Sequence, residues 1–171
     1  MTCCIGIHTP EGILIAADTC IQASNMIYER APKIFRAKRG LLATAGSAGA
    51  TDLIADEWMK STGSLDAIQK LLRADLKTRP DGIDATFLWA GSAGLRALDG
   101  CGSVSRSKFS YCAVGSGEEI AIGYLGASKL VRTLDDAESL AKRTLSFVSQ
   151  CVCNVRPPFQ VEVWRPGRRQ S

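Results

Sequence analysis

Threonine follows the first methionine, so one residue, Thr2, carries a hydroxyl and, once Met1 is clipped, a free α-amine. A hydroxyl attacks poorly until a base takes its proton. An α-amine, with a reference pKa of about 7.7–8.0, suits that task near neutral pH. Thr2 would then be nucleophile and general base together. The chain has a single histidine, His8, beside the turn Thr9-Pro10-Glu11-Gly12, where a solvated position is expected. An imidazole-assisted nucleophile therefore has little to draw on. Asp18 ends the apolar run that follows this turn, and pairing of the two runs brings it near Thr2. Lys33 opens the next apolar run and could reach the same end. An ammonium held beside Asp18 is charged support rather than a base: its field lowers the pKa of a neighbouring amine and favours a developing alkoxide. An ordinary strand-end ion pair would place the same two residues there.

Two small-residue stretches are further candidates. Ala45-Gly46-Ser47-Ala48-Gly49-Ala50 falls where a strand enters a helix. Small residues there allow close packing, and unpaired N–H groups at a helix start can also form an oxyanion hole. Gly115-Ser116-Gly117 is common loop chemistry in which Ser116 could relay a proton.

The elements that must position these residues follow from periodicity. Residues 2–7 and 13–17 form an opening hairpin, and Lys33–Ala37 with Leu41–Ala45 a second one around Arg39-Gly40. The segment between them is polar through Asn25. Helices are expected over Thr51–Lys60 and from Leu65 to Lys77, the latter capped by Ser64. Strands follow at Ile83–Ala90, Leu95–Leu98 and Phe109–Val114, then a helix over Glu118–Gly126 with acids in its first turn. The stripe Ala137, Leu140, Ala141, Thr144, Leu145, Val148 marks a helix introduced by Asp135, with Glu138 completing a capping-box variant. Two last strands, around Cys151–Val155 and Phe159–Trp164, meet at Pro157-Pro158. Strands, two helices, strands, two helices, strands is not βαβ alternation, and implies antiparallel sheets covered by helices.

At 171 residues, 46% hydrophobic and 22% charged, the chain is expected to form one domain over residues 1–171 with a full core. The net charge of +4 owes three positive charges to the tail Arg165-Pro166-Gly167-Arg168-Arg169, so no nucleic-acid partner is expected. There is no 18-residue apolar run and no signal-peptide pattern, so a cytoplasmic protein without a membrane partner is expected. The seven cysteines are never spaced C-x-x-C and sit mostly in apolar runs, pointing to reduced thiols and no metal site.

Taken together, Thr2 with no longer propeptide, Ile13-Leu14-Ile15-Ala16-Ala17-Asp18, Pro32-Lys33-Ile34, Leu42-Ala43-Thr44-Ala45-Gly46-Ser47-Ala48-Gly49, and Ala113-Val114-Gly115-Ser116-Gly117 followed by Ile122-Gly123-Tyr124-Leu125 resemble proteasome β-type subunits. The chain is most similar to HslV-like peptidases and the related betaproteobacterial proteasome homologue. The resemblance implies an α+β fold, a four-layer αββα sandwich of the N-terminal-nucleophile hydrolase type. It also implies threonine-type cleavage of peptide bonds, without a cofactor, inside a double-ring homo-oligomer, with fourteen copies preferred over twelve. Peptides or unfolded proteins would be substrates and an ATPase unfoldase a candidate partner. By matching, Thr2 is nucleophile and base, Asp18 and Lys33 are charged support, and Ser116 is a proton relay or amine orienter. The Gly46 region is the oxyanion hole, with Ala45 or Ser47 as donor if the match shifts by one residue. Ile21, Ala31, Ala45 and Gly49 would line a pocket favouring bulky apolar side chains. Two positions depart from the family pattern. The segment from Asp18 to Lys33 is one residue shorter, and no acid occurs in Gln150-Cys151-Val152-Cys153-Asn154-Val155-Arg156, where the family has an Asp followed three residues later by Ser. Support from that side would fall to Asn154 or to backbone carbonyls, or be missing altogether. The alternatives are a small-molecule amidase of the same nucleophile type and a non-catalytic ring protein.

Overall fold

The computed structural model describes residues 2–23, 26–28 and 32–167. Among the described residues eleven strands and four helices follow in chain order: β1 (Cys3–Thr9), β2 (Gly12–Asp18), β3 (Ile21–Ala23), β4 (Met26–Tyr28), β5 (Ile34–Ala37), β6 (Gly40–Gly46), α1 (Ala48–Lys60), α2 (Leu65–Asp75), β7 (Ala85–Gly91), β8 (Gly94–Asp99), β9 (Val104–Ser105), β10 (Tyr111–Gly115), α3 (Glu118–Ala127), α4 (Leu134–Cys151) and β11 (Phe159–Trp164). Strands β10-β1-β2-β11 form one antiparallel sheet and β5-β6-β7-β8-β9 another, while β3 and β4 pair as a separate hairpin.

Three apolar layers hold four structural ones together. Cys3, Ile5, Ile7, Leu14 and Ala16 face α3 and α4. The alternate residues Cys4, Ile13, Ile15 and Ala17 face Ile34, Leu41, Ala43, Leu88 and Ala90 of the second sheet, whose other face sets Leu42, Phe87, Trp89 and Leu98 against Ile54, Trp58, Ile68 and Leu72 of α1 and α2. The result is a four-layer αββα sandwich. Burial on both faces explains why β2 reads as an unbroken apolar run instead of alternating: every one of its residues is buried. At Gly6 the sheets approach so closely that a Cβ would lie 2.6 Å from Leu95 Cδ1.

Three expectations need correction. Cys151 ends α4 instead of opening a strand, because the apolar stripe carries on and the Val152 N–H bonds the Val148 carbonyl at 2.8 Å. That helix is capped by Thr133, whose hydroxyl accepts from the Asp136 N–H, and Asp135 lies inside the first turn. The polar segment before Asn25 contains β3, half of a hairpin. Among the described residues no helix is long and apolar enough to cross a membrane.

Candidate active site

Antiparallel pairing of β1 with β2 sets Cys4 opposite Ala17, so Thr2 and Asp18 emerge at the same sheet end. Asp18 is fully buried and both of its carboxylate oxygens accept hydrogen bonds. Its Oδ1 accepts from the Cys3 N–H at 2.9 Å, and Oδ2 accepts from the Cys20 N–H at 3.0 Å and from Lys33 Nζ at 2.8 Å. Lys33 is itself buried. A buried pair of this kind persists only with further hydrogen bonds such as those from the Cys3 and Cys20 N–H groups. The surface ion pair that the residue types alone would equally allow is therefore not what forms.

Ser116 stands on the other side of Thr2. Its Oγ accepts from the Thr2 backbone nitrogen at 3.1 Å and donates to the Thr2 carbonyl at 3.2 Å. That nitrogen is an amide while Met1 is attached, and becomes the α-amine when Met1 is removed. Gly115 allows the approach: at φ +97° it sits where a Cβ would lie 2.3 Å from the Thr2 carbonyl oxygen. The glycines around Ser116 are thus dictated by close contact, Gly115 with Thr2 and Gly117 with Val148 and Cys3, not by loop habit.

Gly46 lies across the cleft, the last residue of β6, with α1 starting two residues on. Its φ is +130°, and a Cβ there would lie 2.3 Å from the Asp84 carbonyl oxygen. The Ser47 N–H is spent on that same carbonyl at 3.0 Å, while the Thr44 N–H bonds the Lys33 carbonyl on the opposite side, also at 3.0 Å. Strand alternation turns the Ala45 N–H with Ser47 toward β7, and the Gly46 N–H toward the β5 side, where β5 has ended. Gly46 thus lies at the positive end of the 13-residue α1.

Two cavities meet at Thr2. One, of about 260 Å³, is walled by Cys20, Ile21, Pro32, Lys33, Thr44, Ala48, Thr51 and Asp52. The other, of about 670 Å³, runs past Gly115 and Ser116 to Ala45, Asp81, Asp84 and Cys101. Both share Thr2, Gly46 and Ser47. Of the residues expected to hold a substrate side chain, Ile21 borders the first cavity and Ala45 the second. Gly49 is exposed with open space above it, and Ala31 lies outside the described residues. The first wall is more polar than those four residues implied, with Asp52 a charged member that sequence reasoning missed.

The neighbouring thiol is inert. Burial first, then the charges of Asp18 and Glu118, pushes Cys3 up to about 12, and burial raises Cys4 well above the usual thiol range. Asn154 is buried. Among the described residues no group of three or more His, Cys, Asp or Glu could hold a metal ion.

This architecture is that of the proteasome β-type, HslV-like proteins. BPH of Thiobacillus denitrificans, in complex with epoxomicin, superposes with a TM-score of 0.79 at 22% identity, over 97% of this chain and 100% of that one. A second structure of the same BPH gives 0.80 at 21% identity, over 96% and 98%. Eukaryotic HslV from Trypanosoma brucei gives 0.79 at 18% identity, over 95% and 99%. No family model and no curated protein matches the chain.

Proposed function

We propose that the chain is a threonine peptidase of the N-terminal-nucleophile type, cleaving peptide bonds with Thr2 as a subunit of a cytoplasmic double-ring homo-oligomer. The observation that carries this reading is the Thr2 nitrogen fixed 3.1 Å from Ser116 Oγ, beside the buried Asp18–Lys33 pair and at the junction of two cavities. With Met1 gone, the α-amine takes the Thr2 hydroxyl proton as Oγ attacks the peptide carbonyl carbon. The Gly46 N–H and the start of α1 stabilise the oxyanion, and the Lys33 ammonium stabilises charge near the attacking oxygen. The protonated amine then passes its proton to the leaving nitrogen, giving an ester on Thr2 and a free amine product. Water, deprotonated by the same amine, attacks the ester, and collapse returns the Thr2 hydroxyl and releases the acid. Ser116 holds the amine in line through both halves. A cleft that continues on both sides of Thr2 suits a chain-like substrate better than a small amide, which favours a peptidase over an amidase.

A peptide epoxyketone tests the reading, because its adduct needs both the hydroxyl and the free amine of one residue. Intact mass should rise by the full inhibitor mass on chains lacking Met1, and not on Thr2→Ala. Met1-free chains that stay unlabelled while their fold is intact would remove the nucleophile assignment.

A further inference from the structure

The alternation along β11 places Phe159, Val161 and Val163 against the helical layer, which turns Gln160 and Glu162 toward the sandwich interior. Both reach across to β5, a strand of the other sheet. Arg36 donates to Glu162 Oε2 at 2.7 Å and to the Val163 carbonyl at 2.9 Å. Gln160 does more. Its Oε1 accepts from the Lys33 N–H at 3.0 Å and the Ile34 N–H at 3.1 Å, and its Nε2 donates to the Ile34 carbonyl at 2.8 Å. Three backbone partners fix which end of the amide is oxygen and which is nitrogen. The side chain thus stands in for a missing neighbouring strand along the free edge where β5 begins.

That edge bears the lysine of the site. With the Thr44 N–H on the Lys33 carbonyl, the Lys33 peptide is gripped from both sides, by Gln160 at its nitrogen and β6 at its oxygen. Gln160 itself pairs in register with Ala17, the residue before Asp18. We infer that Gln160 is a positioning residue: it ties the backbone of Lys33 to the sheet that carries Thr2 and Asp18, and so fixes where the ammonium meets the reacting oxygen. Glu162 makes the same kind of inter-sheet link two residues further from the site and serves as its structural control. The proposal rests on the peptidase reading for its kinetic consequence, but the clamp itself does not.

The test compares Gln160→Met, Gln160→Glu and Glu162→Gln with the wild type in the full chain. Gln160→Met keeps length and removes all three bonds. It should lower kcat about 10-fold with KM within about twofold, whereas Glu162→Gln should leave kcat within about twofold, because small displacements of a preorganised charge act on the transition state. Gln160→Glu keeps the acceptor, and regains a donor toward the Ile34 carbonyl only when protonated. Its deficit relative to wild type should therefore narrow as pH falls, which a merely structural role would not produce. Hydrogen exchange followed by mass spectrometry reads the clamp without activity: peptides containing Lys33 and Ile34 should exchange at least about 10-fold faster in Gln160→Met and not in Glu162→Gln. Equal kcat and equal exchange in Gln160→Met and wild type would overturn the inference, as would a matching loss in Glu162→Gln. An inactive wild type with the exchange difference preserved would overturn the peptidase reading and leave the clamp standing.

Discussion

Replacing Thr2 by Ala removes the only hydroxyl placed beside its own amine, and the lost atoms come from a site open to a cavity, so little packing goes with them. Peptide hydrolysis should fall below about 1% of wild type with the assembly unchanged; higher residual turnover in a fluorogenic assay would point to another nucleophile. Lys33 acts through a compact charge. Lys33→Ala should cost at least about 100-fold in kcat, and Lys33→Arg should recover little of it, since a guanidinium cannot fill the space of an ammonium 2.8 Å from Asp18. Normal rates in both would dismiss the charged support. The cysteines divide by environment. With its pKa near 12, Cys3 has a thiolate fraction of about 10⁻⁴ at pH 8, while Cys101, Cys151 and Cys153 are exposed. Iodoacetamide on the folded protein should label those three and spare Cys3, Cys4 and Cys20, as peptide mass mapping would reveal.

Elements decide whether those residues meet. Gly46→Ala would force a Cβ against the Asp84 carbonyl and swing the β6-to-α1 junction, so hydrolysis should drop about 100-fold or more while the epoxyketone test still finds a free Thr2 amine. In the wall of the smaller cavity Lys33 is committed to Asp18, which leaves Asp52 to meet the substrate side chain. A fluorogenic panel should show Glu cleaved slowest before the scissile bond, and Asp52→Asn should improve Glu about fivefold relative to Leu; an unchanged ratio would take Asp52 out of the pocket's selectivity. The opening hairpin and its ends were legible in sequence because pairing across a short turn is local, and it alone brings Thr2 to Asp18. The α4 stripe was equally clear over Ala137–Val148, but Cys151-Val152-Cys153 looks like a strand by residue type, while Cys151 ends the helix and the Val152 N–H closes its last turn on Val148. Beyond Ile21 the wall of the smaller cavity was not legible, since it draws on Cys20, Pro32 and Thr44 together with Thr51 and Asp52 of α1, which no local rule brings together. Nor was Gln160: a glutamine between two apolar residues of a strand reads as a solvent-facing position, and only the second sheet shows that it faces inward.

Assembly belongs to the molecule as a whole. The ring proposal predicts a closed homo-oligomer, about 260 kDa for fourteen copies of the 18.3 kDa chain, by light scattering. A stable monomer or dimer that cleaves peptides would remove the need for a compartment. The two hollows that share Thr2 carry a different lesson, about the ends of a substrate. Among the described residues lining the two hollows the one cation, Lys33, is held by Asp18, so no charge is left to grip a terminal carboxylate. A peptide amidated at its C-terminus should be cut as fast as its free-acid parent.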